Sequence, residues 1–236
     1  MATALLLGLT GVSMAAMSNL ELYMVVYNST STGTVETITD LGTIGGEINL
    51  SSQGLVLSSV DALSDLSIYG SGTTYSNLTV AYFAYNDTSA TDEAWITGDS
   101  TRNARGFNNM NTAYGILTPY YSNLDEGETL VGEKSANGSY YTTMDFNGTR
   151  IGTFYNFSAL GDGEVSLATL ATVGYVDQTL YYYTSTGSTT GIVAATIRTY
   201  ANGDVVINPV PAPPGLLLLA PGLLGLIGLR KRFTRA

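Results

Sequence analysis

Short strand-like runs of four to nine residues, rich in β-branched and aromatic side chains and broken by Asn, Gly, Ser and Thr, recur from Leu20 to Ile207. That spacing suits strands and leaves little room for long helices. Leu20–Tyr27 (LELYMVVY) and Leu78–Tyr85 (LTVAYFAY) are rich in β-branched and aromatic residues and read as strands. Thr34–Thr39, Leu55–Ser58, Leu66–Tyr69, Ala94–Thr97, Thr179–Thr184 and Ile192–Tyr200 follow the same pattern. Three Asn-Gly pairs mark hairpin turns, because that dipeptide readily takes positive φ. Asn137-Gly138 precedes a strand over Ser139–Phe146, Asn147-Gly148 joins that strand to Arg150–Tyr155, and Asn202-Gly203 joins Ile192–Tyr200 to Asp204–Ile207. Helix signals are weak: Val60–Leu66 offers two turns capped by Ser59, and Val165–Val173 is ambiguous. Residues 17–208 are therefore expected to form one all-β domain, an antiparallel β-sandwich of jelly-roll type. Crossover helices, which a parallel sheet needs, are not evident.

Charge and missing residue types narrow the function. Between Ser18 and Asn208 five basic residues stand against all nineteen acids, a net of −14. Such a body repels phosphate backbones, so no nucleic-acid partner is expected. The chain has no Cys and no His. Disulfides, thiolate metal sites and cysteine nucleophiles are excluded, as are Ser-His-Asp catalysis and the usual zinc hydrolysis.

Both ends look like targeting segments. Residues 4–17 (ALLLGLTGVSMAAM) are apolar and finish in small side chains, so residues 1–16 read as a signal peptide cut at Ala15 or Ala16. No basic residue precedes Leu5, so the positive n-region is expected upstream. Residues 209–236 have three parts. A Pro-rich spacer over 209–214 contains Val210, Pro211, Ala212 and Pro213; an apolar segment covers 215–229 (GLLLLAPGLLGLIGL); a basic tail over 230–236 opens with Arg230, Lys231 and Arg232. Proline fixes φ and removes donors, so the spacer stays extended and out of any sheet. As a helix the apolar segment would be about 22 Å long at 1.5 Å per residue, short for a hydrocarbon core of roughly 30 Å. The basic cluster would hold its end on the cytoplasmic side.

Pro-x-Pro, a short Gly/Leu helix and a terminal Arg-rich cluster resemble the PEP-CTERM sorting signal of Gram-negative bacteria, with GLLGLIGLRKR over 222–232 especially close. Ala212 stands where the usual motif has Glu. The resemblance covers residues 209–236 alone. It implies recognition by an exosortase in the inner membrane, processing near the Pro motif, and association with exopolysaccharide, biofilm or floc matrix. A Gram-positive sortase signal would need Leu-Pro-x-Thr-Gly, and a GPI signal would end apolar; a plain single-pass anchor stays open.

Within the body no motif selects a catalytic carboxylate pair, and a non-enzymatic role is expected. Asp125-Glu126-Gly127-Glu128 with Glu133, and Asp162-Gly163-Glu164, offer oxygen ligands for Ca²⁺ or are solvated acidic turns. No metal ligand set and no cofactor are assigned. Tyr120-Tyr121, Tyr140-Tyr141 and Tyr181-Tyr182-Tyr183 would put rings on both faces of a sheet, either as core or, with Trp95, as platforms for sugars. Arg102 and Arg105 could meet an anionic partner or anchor a loop. Seven Asn-x-Ser/Thr triplets begin at Asn28, Asn49, Asn77, Asn86, Asn137, Asn147 and Asn156, and could carry glycans in an exported protein. The expected function is that of an exported surface or matrix protein whose partners are the exosortase, the inner membrane and extracellular polysaccharide. The alternatives are a carbohydrate-binding module and a polysaccharide-active enzyme.

Overall fold

A computed structural model describes residues 17, 19–57, 63–87, 92–98, 100–103, 106–122, 124–144 and 163–210. Ten strands lie in one antiparallel sheet: β1 (Glu21–Asn28), β2 (Val35–Thr43), β3 (Leu55–Leu57), β4 (Leu78–Asn86), β5 (Glu93–Thr97), β6 (Thr129–Glu133), β7 (Glu164–Ser166), β8 (Tyr175–Thr184), β9 (Ile192–Tyr200) and β10 (Val205–Ile207). Their order is β3-β10-β9-β8-β5-β4-β1-β2-β6, and β7 pairs with β4. The sheet curls into a half-barrel, so the expected antiparallel all-β class is what the chain adopts.

The second layer arises differently from that of a jelly roll. On the inner face one apolar cluster runs from Leu57, Val205 and Ile207 near one edge, through Leu22, Tyr82 and Trp95, to Leu41 near the other. On the outer face Tyr23, Val25, Phe83, Tyr85 and Ile96 are covered by a fifteen-residue helix, α1 (Gly106–Tyr120). Curl and helix together cover both faces without a second sheet. Central strands β1 and β4 are therefore buried on both sides, which is why MVV and VAYFA run without polar alternation.

Helix α1 departs from expectation. Asn108, Asn109, Asn111, Thr112 and Gly115 are poor helix formers, and no element is expected over this segment. Yet Phe107, Met110, Ala113, Tyr114 and Leu117 fall on one stripe and all are buried. Packing of that stripe on β1 and β4 overrides the weak propensity. Pro119 sits in the last turn, where it removes the donor to Gly115 O, while Tyr121 N still donates to Leu117 O at 3.0 Å.

Two expected strands are helical where described. Ser139 caps a single turn, α2 (Tyr140–Thr143), its hydroxyl accepting from Thr142 N at 3.2 Å. Leu66–Tyr69 is a 3₁₀ turn capped by Asp65, which accepts from Ser67 N at 3.0 Å. Val165–Val173 resolves into the end of β7, a 3₁₀ turn and one α-turn closed by Gly174 at φ 83°. Strand β6, beside the acidic run, was not foreseen. The Asn202-Gly203 hairpin forms as expected, with Gly203 at φ 90° and Tyr200 N donating to Asp204 O at 2.8 Å. Asn147-Gly148, Arg150–Tyr155, the cleavage residues Ala15 and Ala16, and the apolar segment 215–229 lie outside the described residues, as do Ser59 and the first three residues of Val60–Leu66. Among the described residues no helix is long and apolar enough to cross a membrane.

Candidate functional site

On the inner face, β5 and β8 place Trp95 and Tyr182 opposite each other, their ring centroids 4.9 Å apart and tilted by 38°. Tyr182 donates to Glu93 Oε1 at 2.6 Å, and Asn86 Nδ2 holds the other Glu93 oxygen at 2.8 Å. Burial, aided by the Glu93 carboxylate, pushes the Tyr182 hydroxyl up to about 12, so it stays a neutral donor. The pairing of β8 with β9 shifts register between Leu180 and Tyr181, leaving Ala194 without a partner. This bulge puts Ile192 level with Tyr182 and re-aims it towards the inner face.

The loop after β2 forms the facing wall. Ile44 N donates to Leu20 O at 2.8 Å, Ile48 N to Thr43 O at 3.0 Å, and Gly45, at φ 84°, to Ile48 O at 2.9 Å. These bonds hold Ile44, Ile48, Asn49 and Leu50 across from Trp95 and Tyr182 around an open pocket of about 560 Å³. Its wall is mainly apolar, and Ile192 on its rim is 68% exposed. A pocket of this kind accepts an apolar chain or the apolar face of a ring, with Asn49 as a polar contact.

Asn208 governs the exit towards residues 209–236. Its amide N donates to Thr196 O at 2.7 Å, its Oδ1 accepts from Thr196 N at 2.9 Å, and its Nδ2 reaches Leu50 O and Ser52 O at 2.7 and 3.1 Å. Gly54 N completes the clamp on Asn208 O at 2.9 Å. Asn208 sits at φ 45°, a left-handed conformation that Asn tolerates better than most residues. Two residues later Val210 is 58% exposed. Pro209 and Val210 line a polar recess of about 460 Å³ with Ser51, Thr196 and Arg198. Arg198 is fixed there by Asp177 through two bonds of 2.7 Å and lies 3.8 Å over the Tyr175 ring. Pro211, Ala212, Pro213, Arg230, Lys231 and Arg232 lie outside the described residues.

The other sequence candidates fall elsewhere. Glu126 and Gly127 form the turn into β6, locked to β2 by Gly127 N to Asp40 O at 2.9 Å and Asp40 N to Glu128 O at 3.2 Å. Asp40 is buried beside them, and burial pushes its carboxyl up to about 7. Glu164 accepts from the Tyr27 and Tyr140 hydroxyls at 2.7 and 2.6 Å. Among the described residues no three Asp or Glu side chains are grouped to hold a metal ion. Arg102 is buried, donating to Thr184 O and Asn103 O and covering the Phe107 ring at 4.8 Å, so it anchors a loop; Arg105 lies outside the described residues. Of the tyrosine groups only Tyr181-Tyr182-Tyr183 alternates across the sheet: Tyr181 and Tyr183 face outward and Tyr182 inward. Tyr121 and Tyr140 are outer-face core, and Tyr120 closes the β6 edge by accepting from Glu133 N at 3.0 Å.

Sequence reasoning passed over three parts of this arrangement. Gly45-Gly46 between Ile44 and Ile48 signalled an exposed apolar turn, and Asn208 before Pro209 signalled the end of the sheet. The bulge at Ala194 left no sequence signal. No family model matches this chain, and neither a curated protein nor a solved structure matches it.

Proposed function

We propose that this is an exported surface or extracellular-matrix protein of a Gram-negative bacterium, structural rather than catalytic, carrying its address in residues 209–236. That segment is read by an exosortase, holds the inner membrane before processing, and releases or retains the body among extracellular polysaccharide. The observation that carries this reading is the clamp at Asn208: hydrogen bonds to the Thr196 backbone and the Leu50–Gly54 loop end the sheet, and Val210 two residues on is already in solvent. A protease at the Pro motif would meet a segment whose prolines carry no backbone donor. The buried Glu36 and the half-buried Glu164 support a structural role, since tyrosine hydroxyls and backbone amides occupy Glu36 and tyrosine hydroxyls occupy Glu164.

Intact-mass analysis of the protein from its own host tests the proposal. A mature species ending near 211–214 is expected. A membrane-bound chain that keeps Arg230-Lys231-Arg232 would make the tail a permanent anchor, and a full-length chain in the cytosol would refute the reading. The Trp95–Tyr182 pocket favours a second reading, a carbohydrate-binding module of the same location. Loss of polysaccharide pull-down on Tyr182→Ala would support it.

A further inference from the structure

Strands β8, β9 and β10 send Val176, Ile197, Val205 and Ile207 into the inner core. Alternation therefore turns Asp177, Thr196 and Arg198 to the outer face, away from the Trp95–Tyr182 pocket. Asp177 and Arg198 are direct cross-strand partners joined by two bonds of 2.7 Å, and the guanidinium lies 3.8 Å over the Tyr175 ring. Strand register, the forked pairing and the ring fix the pair in one geometry before any ligand arrives. Both side chains stay within reach, Arg198 at 18% exposure and Asp177 at 39%. They form one side of the polar recess of about 460 Å³, to which Ser51, Gln53 and Thr196 add two hydroxyls and an amide, and which Pro209 and Val210 bound.

We propose that this recess binds a neutral sugar unit of a polysaccharide chain. Arg198 spends Nε–H and one Nη2–H on Asp177, so further N–H groups stay available as donors, and each Asp177 oxygen keeps acceptor capacity. Donors and acceptors thus stand side by side at fixed spacing. A sugar hydroxyl both donates and accepts, so adjacent hydroxyls on one ring can use both groups together. Charge and lining select against other ligands. The guanidinium is already neutralised by Asp177, and a body of net −14 repels an anion. The carboxylate is neutralised in turn, so a cation gains little. An apolar chain would take water from the polar wall and return no hydrogen bond. A peptide strand would need unpaired backbone, and β9 is paired here with β8 and with β10. The volume falls within the roughly 300–1,000 Å³ of small-ligand sites. The inference deepens the proposed association with polysaccharide and rests on it, because it names where a chain is held. Its test uses purified protein, so its failure leaves export and processing, read by intact mass, standing.

Saturation-transfer NMR titrations of the full-length chain with neutral trisaccharides of glucose, mannose and galactose test it, with a trisaccharide of glucuronic acid as the anionic probe. At least one neutral trisaccharide should bind, and the uronide should not. Asp177→Asn keeps the side-chain shape but removes the charged acceptor and leaves Arg198 without its counter-charge. It should weaken neutral binding about tenfold and let the uronide bind, a reversal that a merely structural pair would not produce. An exposed pair contributes little to stability, so the variant should fold. Failure of all three neutral sugars to bind, unchanged neutral affinity in Asp177→Asn, or no gain for the uronide would each overturn the proposal. So would neutral binding that survives Asp177→Asn but is lost on Tyr182→Ala, which would place the sugar in the Trp95–Tyr182 pocket instead.

Discussion

Glu36 sits on β2 with no exposed surface, and its carboxylate accepts from the Tyr121 hydroxyl, from Tyr140 N at 2.7 Å and from Tyr141 N at 2.9 Å. It thereby ties α2 and the end of α1 to the sheet. Burial pushes its carboxyl from 4.5 up to about 7, against the pull of those three donors and of the Lys134 ammonium. The folded state therefore holds a proton that the unfolded chain releases at about 4.5. Between those two values the folded protein binds more protons, so its stability falls as pH rises. The interval corresponds to about 3 kcal/mol, lost progressively between pH 4.5 and 7. Glu36→Gln carries no charge at any pH and removes this dependence. It also turns an amide NH₂ towards a donor, Tyr141 N, at a penalty of about 1–3 kcal/mol. The variant should thus be less stable than wild type by about 2 kcal/mol at pH 5, and equal to it or slightly more stable at pH 8. Asp40 is also raised to about 7, but it titrates in both proteins and cancels in the difference. Urea unfolding followed by Trp95, the sole tryptophan, measures both curves. Stabilities of the wild type and the Glu36→Gln variant that run parallel from pH 5 to 8 would refute the account.

Asn208→Ala removes three side-chain hydrogen bonds and leaves alanine at φ 45°, a left-handed conformation that asparagine tolerates better, so it should lower stability by about 2–4 kcal/mol in urea unfolding. It should also speed limited proteolysis after residue 207. Tyr140→Phe deletes the 2.6 Å bond to Glu164, leaving that carboxylate with Tyr27 as its tyrosine partner, and should lower the unfolding free energy by about 1.5–3 kcal/mol with an unchanged m-value.

What the sequence disclosed depended on how far apart the deciding contacts lie. The strands around Tyr23–Tyr27, Val80–Tyr85 and Ile192–Tyr200 were legible because β-branched and aromatic residues declare themselves within one short run. The Asn202-Gly203 hairpin was legible because its chemistry is local. Helix α1 was not, because Asn-rich positions argue against a helix until the outer faces of β1 and β4 supply a surface for Phe107, Met110 and Leu117. The turn at Tyr140 was not, because Glu36, about a hundred residues earlier, takes the amides of Tyr140 and Tyr141 that a strand would have paired. Trp95 and the Tyr181-Tyr182-Tyr183 run were visible as aromatics. That Tyr182 alone of the three faces Trp95 follows from strand register, which only the assembled sheet fixes.

The composition explains why this chain builds its core from Tyr where another would use Phe. It holds seventeen Tyr against six Phe, and its body has nineteen acids but only five cations. Most carboxylates cannot find a guanidinium or ammonium, yet a curled sheet covered on both faces buries some of them on any path of the chain. A tyrosine brings a ring large enough to fill the core and a hydroxyl that can cap a carboxylate oxygen without any cation. Among the described residues four carboxylates use this device: Glu21 with Tyr23, Glu36 with Tyr121, Glu93 with Tyr182, and Glu164 with Tyr27 and Tyr140. Because tyrosine hydroxyls stay protonated across the neutral range and buried ones are raised further, the tyrosine half of each cap does not titrate there as histidine would. Among the described residues, the carboxyls that burial lifts to about 7, Glu36 and Asp40, remain as the points where pH reaches the core.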